Sequence, residues 1–330
     1  MLARLAAHGE RWPLARPFRI ARGMRTAAEC IVVEIEADGV TGRGEGLPYA
    51  RYGETVDDAL ARIRSVAEAV EREPDRQALR GLMPAGAARN ALDAALWDLE
   101  AKRRGVGVQA LVGAAAAPGP LPTALTVSLD DPSNMGEAAS RLSDAPLLKI
   151  KVDERNPEAA VRAVREAAPD SRLIVDPNES WTAELLARLM PAMAELKVDL
   201  IEQPVPAGED EALERLKPLV PLCADESAHV SADVETVARR YQAVNIKLDK
   251  TGGLTEALEM KTAARSCGLM VMVGCMISTS LSMGPAIHLA QDADFVDLDG
   301  PWWLAFDRLD GVSFESGRIH PAARGWGSAL

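Results

Sequence analysis

Cysteine is scarce in this 330-residue chain. The four present, Cys30, Cys223, Cys267 and Cys275, form no CxxC pair and no zinc-ligand spacing, which excludes thiolate zinc sites and disulfide scaffolds. Cys223 and Cys275 lie in apolar runs and read as small buried hydrophobes. Positive charge is also short. The formal net charge is -12, where nucleic-acid and anionic-membrane surfaces want a basic footprint. No apolar run spans a bilayer; the longest surrounds "LMVMVGCMI". Arg4, Glu10 and Arg11 interrupt the N-terminal segment, so no secretory leader is expected. Low-complexity segments and flexible linkers are missing as well. The expectation is a soluble, cytoplasmic, globular protein, large enough for one barrel or a barrel with an accessory domain.

What is present is a repeat. From about residue 120, eight short apolar runs alternate with stretches of helical period. The runs are "ALTVSL", "LLKIKV", "RLIVDPN", "DLIEQP", "PLCADES", "AVNIKLD", "MVMVGCM" and "FVDLDG". Helix-like segments such as "NPEAAVRAVREAA", "TAELLARLMPAMAEL" and "GLTEALEMKTAARSCG" lie between them. Eight such units predict an α/β fold of the (β/α)8, TIM-like type, over 116–300. A doubly wound open sheet is the alternative; the count and the unit length of about 25 residues favour the barrel. Residues 1–115 read as an α+β unit. A strand, an Asp-Gly turn and a second strand lie in "AAECIVVEIEADGVTGRGEG", followed by helices near 55–71 and 87–104. The tail, 301–330, carries "GVSFESGRI", read as a final strand returning to that first unit.

Catalysis in such a barrel sits at the C-terminal strand ends. Those ends carry Lys149 and Lys151 on the second strand, Asp176 on the third, Glu202 on the fourth, Asp225 on the fifth and Lys247 on the sixth. From Lys151 to Lys247 these positions are separated by 25, 26, 23 and 22 residues, one unit each. Asp297 and Asp299 follow on the eighth and share a strand face. One acid alone reads equally well as a residue at a loop start. Three on successive strands, each inside an apolar run, repel one another and need a counter-charge. All-oxygen ligation with open positions suits Mg2+. Lys151 and Lys247 fall four strands apart, on opposite sides of the mouth. A metal that holds a carboxylate, with a lysine on either face, can move an α-proton from one face to the other. A lysine base must lose its proton part of the time, so its pKa should fall towards about 7–8, helped by a neighbouring cation. Lys149, on the same face as Lys151, is placed to contact the substrate carboxylate.

These residues resemble the enolase superfamily, and within it the muconate-lactonizing subgroup. The matching motifs are "KIK", "VDPN", "IEQP", "ADES" and "NIKLDKTGG", in that order. The eighth-strand "DLDG", with "PFRIARGMRTAAE", "PYARYGE", "PAGAARNALDAALWDL" and "VGCM", is similar to the dipeptide epimerases, in particular those acting on L-Ala-D/L-Glu. "DPN" stands where many relatives have "DAN"; the proline should tighten the turn and leave Asp176 in place. The resemblance covers nearly the whole chain. It implies a modified (β/α)7β barrel under an α+β capping domain. It implies one Mg2+ per subunit, with Mn2+ as a substitute, on Asp176, Glu202 and Asp225. Lys151 and Lys247 would be the acid/base pair for 1,1-proton transfer through a metal-stabilised enediolate. Asp297 and Asp299 would hold the substrate ammonium. Thr126 and Cys275 would contact the substrate. Arg22 or Arg25 would meet the glutamate side chain, and Met24, Tyr49 and Arg51 are further candidates for the pocket wall. The partner it implies is a small dipeptide from recycled murein, and neither nucleic acid nor membrane is expected. A homo-oligomer is compatible with a sequence that says nothing of oligomeric state. The competing readings are an N-acyl amino acid racemase, an o-succinylbenzoate synthase or cycloisomerase of the same subgroup, and a barrel that only binds.

Overall fold

The computed structural model describes residues 3–322 and 325–328. The remaining residues of the terminal spans above lie outside the described residues. The chain opens with a three-stranded antiparallel sheet, β1 (Arg4–Ile20), β2 (Gly23–Ala37) and β3 (Val40–Gly46). Asp38 and Gly39, both at positive φ (53° and 79°), make the expected tight turn between β2 and β3. Ile31, Val33 and Ile35 of β2 pack on the helix Ala87–Arg104 through Ala91, Leu92, Ala95 and Leu99. The same helix lies unusually close to β3. A Cβ at Gly42, Gly44 or Gly46 would stand 2.1–2.2 Å from the carbonyl oxygens of Ala95, Ala91 and Ala87. Two residues of strand match four of helix in length, so one glycine face of β3 runs along one helix stripe. The helix Val56–Arg72 starts at Thr55, whose hydroxyl accepts the Asp58 N–H, with Asp57 and Asp58 in the first turn.

β4 (Leu121–Pro122) precedes the barrel. The barrel strands are β5 (Leu125–Val127), β6 (Leu147–Lys151), β7 (Arg172–Asp176), β8 (Leu200–Glu202), β9 (Leu222–Ala224), β10 (Ala243–Lys247), β11 (Met270–Gly274) and β12 (Phe295–Asp297). They pair in parallel in sequence order. The ring closes where the Ala124 N–H donates to the Val296 carbonyl at 2.8 Å. Helices such as Pro157–Ala167, Ala183–Glu195 and Leu254–Ser266 follow the strands as expected. The connection after β8 is a 3-10 turn, Asp210–Arg215, in the place of a helix; β12 is followed by Gly300–Trp303, also 3-10, and the eighth strand's missing helix is the mark of the (β/α)7β variant.

Each barrel strand divides its side chains by parity. On β6, Leu148 and Ile150, with Val152 just beyond, face outwards into the main core between strands and helices. Leu147 faces inwards and joins Ala124, Ile174, Leu200, Cys223, Ala243, Met272 and Phe295 in a dry layer inside the barrel. The tail differs from the expected single strand. β13 (Ser313–Glu315) and β14 (Arg318–His320) form a hairpin, and β14 pairs with β4, not with the β1–β3 sheet. The contacts to the N-terminal unit come from either side of that hairpin: Leu304 bridges Leu14, and the Trp326 indole donates to the Ala94 carbonyl at 3.0 Å.

Candidate functional site

One strand repeat above the dry layer, the inward positions become Thr126, Lys149, Asp176, Glu202, Asp225, Asn245 and Asp297. All are buried, and the carboxylates of Asp176 and Glu202 are fully so. Thr126, Lys149, Asp225 and Asp297 line a cavity of about 440 Å3 with Lys151, Lys247, Cys275 and Asp299, while Asp176, Glu202 and Asn245 are buried beside it. Its roof comes from the N-terminal unit: the β1–β2 turn with Phe18, Arg22, Met24 and Arg25, and the 3-10 segment Ala50–Tyr52 with Tyr49. Of the side chains singled out from the sequence, all but Asp176 and Glu202 line this one mouth, and those two lie within reach of Lys149 behind it.

The charges are paired across strands. The Lys149 ammonium stands 2.7 Å from Glu202, 2.8 Å from Asp297 and 3.1 Å from Asp176. Lys151 donates to Asp176 at 2.5 Å. Lys247 donates to Asp225 at 2.7 Å and lies 4.0 Å from Glu202. Lys250, three residues past the "NIK" strand end and given no role by the motif, donates to the other Asp225 oxygen at 2.7 Å. Burial pushes the carboxyl of Asp176 up, but Lys151 and Lys149 outweigh it and hold it at about 2. Glu202 is pushed up to about 7 by burial and by the facing Asp176. Asp299 is pushed up to about 6 by burial and by Asp297, against hydrogen bonds from Thr126 and Trp303.

The expected fall in lysine pKa is not what this arrangement produces. Burial opposes the Lys247 charge, but Asp225 more than compensates and holds the ammonium well above its ordinary value. The same is true of Lys149 among its three acids. The reason is that the ammonium groups are here the counter-charge of the carboxylates.

That pairing bears on the metal. Among the described residues, no three acidic, imidazole or thiol groups already stand as a metal-ligating cluster. The donor set nevertheless fits a hard cation. The three acids come from consecutive strands, and the surplus at the mouth is of acceptors. Asn178 Oδ1, Glu202 Oε2, Asn245 Oδ1, Glu226 Oε2 and Asp297 Oδ1 are buried without a hydrogen-bond donor; Glu202 Oε2 is near Lys149 but misaligned. Each acid is also braced. Asp176 accepts the Asn178 N–H at 2.9 Å, Glu202 accepts Asn245 Nδ2 at 2.8 Å, and the Asp225 N–H donates to the Gln203 side chain at 2.9 Å. Asn178, Glu179 and Gln203, which follow the third and fourth strand ends, sit at φ of 48°, 70° and 35°. Left-handed backbone costs roughly 1–2 kcal/mol at a residue with a Cβ, and such strain clusters at functional sites.

One further correction concerns the far end of the cavity. Asp299 does not share a strand face with Asp297, because β12 stops at Asp297. Asp299 instead precedes the 3-10 turn and reaches the cavity from there, accepting from the Thr126 N–H at 2.9 Å and Trp303 Nε1 at 3.1 Å. Cys275 lies one residue past β11, with burial pushing its thiol well up. The two loop arginines are not equivalent. Arg22 is held by Glu226 at 2.6 Å and Glu179 at 2.9 Å. Arg25 stacks on Tyr49 at 4.6 Å, and among the described residues no carboxylate pairs with it. Glu179, Gln203, Glu226 and Lys250 were missed although they lie within or beside the quoted motifs. Their signal was adjacency to a strand end.

Residues 3–113 match the family described as "Mandelate racemase / muconate lactonizing enzyme, N-terminal domain", and residues 134–330 match "Enolase C-terminal domain-like". The chain is 47% identical to the L-Ala-D/L-Glu epimerase of Escherichia coli K12, covering 94% of this chain and 97% of that one. It is 41% identical to an N-acetyl-D-glutamate racemase of a Pseudoalteromonas species, covering 91% and 95%. Among solved structures it is similar to an enolase family member from Agrobacterium tumefaciens, with homology to dipeptide epimerases and with sodium and L-Ala-L-Glu bound. The TM-score there is 0.94 and the identity 47%, over 97% of this chain and 98% of that one. A dipeptide epimerase from Enterococcus faecalis, complexed with Mg and L-Leu-L-Tyr, matches with a TM-score of 0.91 at 28% identity over both whole chains. No helix among the described residues is long and apolar enough to cross a membrane.

Proposed function

We propose a function from one premise: the chain belongs to the enolase superfamily, in the family of mandelate racemase and muconate lactonizing enzyme. The function is epimerisation of dipeptides, with L-Ala-D-Glu and L-Ala-L-Glu as the pair interconverted, in a cytoplasmic enzyme acting on recycled cell-wall peptides. Residues 1–115 with the tail act as the cap, and 116–300 as the catalytic barrel. The observation that carries this reading is the charged layer at the strand ends, with Lys151 and Lys247 on β6 and β10 at opposite sides of one buried acid cluster.

Asp176, Glu202 and Asp225 would hold Mg2+, and bound there it would offset the charge that builds on the substrate carboxylate as the α-proton leaves. The chain's own residues do the rest. Lys149 faces the carboxylate end. Lys151 takes or returns the proton on one face of the α-carbon and Lys247 on the other. Asp297 Oδ1, buried and without a donor, is suited to an α-ammonium group, with Asp299 beside it. Thr126 and Cys275 line the path between. Arg25, lacking a carboxylate partner, is the cation for a glutamate side chain, whereas Arg22 is already engaged.

A second reading, racemisation of an N-acylated glutamate, is favoured by the 41% identical relative. The substrate nitrogen separates the two, because an amide brings no positive charge to Asp297 and Asp299. The test is deuterium incorporation in D2O, read by mass spectrometry, over a panel of L,L-dipeptides and N-acyl amino acids. Exchange and epimerisation of L-Ala-L-Glu are expected. Exchange confined to N-acyl substrates would overturn the dipeptide reading.

A further inference from the structure

The cavity is roofed by two loops that are far apart in sequence, Phe18–Arg25 at the β1–β2 turn and Tyr49–Gly53 after β3. One carboxylate holds both. Glu179 accepts from Arg22 Nη1 at 2.9 Å and from Arg51 Nε and Nη2 at 2.8 and 2.7 Å. The Ala207 N–H adds a bond at 2.9 Å and ties the same carboxylate to the barrel. The Glu179 side chain is only 8% exposed, against 26% for Arg22 and 39% for Arg51. It is therefore the buried anchor and the arginines are the arms. Glu226, at 2.6 Å, holds Arg22 alone.

The anchor also reaches down to the acid cluster. Asn178 and Glu179 form a left-handed pair one residue past Asp176, after Pro177. The Asn178 N–H bonds Asp176 Oδ1, and its carbonyl accepts Arg22 at 3.0 Å. One short turn thus carries a candidate metal ligand at its start and the clamp for both roof loops at its end.

We propose that Glu179 is a positioning residue: it makes closure of the two roof loops a single event and links that event to the Asp176 turn. The loops themselves carry Met24, Arg25, Tyr49 and Tyr52, so the clamp sets how those side chains meet a substrate. Weakening it lowers the fraction of molecules with a formed roof. Apparent affinity falls by that fraction, while saturating substrate draws the loops closed and leaves the chemical step alone.

Hydrogen exchange read by mass spectrometry tests this without any substrate. Glu179→Gln should speed exchange in peptides covering both 18–25 and 49–53, with the barrel strands unchanged. Glu226→Gln, which weakens the Arg22 arm alone, should likewise speed exchange in both 18–25 and 49–53. Arg51→Met is the decisive variant. Closure as one event requires it to loosen 18–25 as well as 49–53, although Arg22 keeps both of its own acids. Exchange confined to 49–53 in Arg51→Met would show two independent loops and overturn the proposal. The kinetic arm rests on the function proposed above. There, Glu179→Gln should raise the dipeptide KM about tenfold and change kcat less than threefold. A fall in kcat at unchanged KM would place Glu179 in the chemistry and also overturn it. Should the protein epimerise no dipeptide, the functional reading fails by itself, and the exchange measurement still decides the clamp.

Discussion

Two inward layers of the barrel, one strand repeat apart, have opposite chemistry. The lower one, Ala124, Leu147, Ile174, Leu200, Cys223, Ala243, Met272 and Phe295, contains no charged group. The upper one, about 6.6 Å further along the strands, holds Lys149, Asp176, Glu202, Asp225 and Asp297. Both are buried, so burial alone does not decide which residues a barrel interior accepts. The lower layer gains from removing apolar surface from water and seals the barrel. The upper layer is tolerable because its acids face Lys149, Lys151, Lys247 and Lys250, whose attraction offsets a desolvation cost that would stand uncompensated if either partner were removed.

The sharpest way to break this contrast is in the upper layer. Stripping divalent cations with a chelator is expected to stop turnover, and added Mg2+ to restore it; activity that survives complete removal would end the metal role. Lys151→Ala and Lys247→Ala should each lower kcat by about 10^2–10^4, the usual scale for losing a general acid or base. Either variant can retain slow α-proton exchange from one stereoisomer in D2O, and full epimerase activity in either would sink the two-base scheme. In the lower layer, Leu200→Ala should destabilise the fold by roughly 2–5 kcal/mol in urea titration, with activity per folded molecule nearly unchanged. A loss of activity without a loss of stability would mean that the dry layer positions the acids. At the rim, Asp297→Asn with Asp299→Asn should raise KM for dipeptides more than for N-acylated analogues. Equal effects on both would favour the N-acyl reading. The smallest change is expected from Arg25→Met, a higher KM for L-Ala-L-Glu with little effect on a dipeptide lacking a side-chain carboxylate; the reverse pattern would return that role to Arg22.

The barrel was legible because each unit repeats the same short apolar run, which on the second to sixth and the eighth strands ends in a charged residue. Strand parity then puts Lys149 and Lys151 on one face without further information. β1 was not legible. It contains Gly9, Pro13 and Pro17, and its seventeen residues are extended because they pair with β2 as the edge of the sheet, with a register shift between Pro13 and Phe18. The clamp at Glu179 was hidden for a related reason. Its two arginine partners lie 157 and 128 residues away, and nothing local in "DPNES" announces them.

The sequence by itself determined which strand ends carry charge and on which face, because alternation follows from backbone geometry over two or three residues. Only the tertiary structure decided the pairings. It gave Asp176 to Lys151, Asp225 to Lys247 and Lys250, and Arg22 to Glu179 and Glu226. It left Arg25 for the open side of the cavity and carried Asp299 past the end of its strand. Coulombic partners are chosen by distances of a few ångströms between segments far apart in the chain, and closing the ring of strands sets those distances.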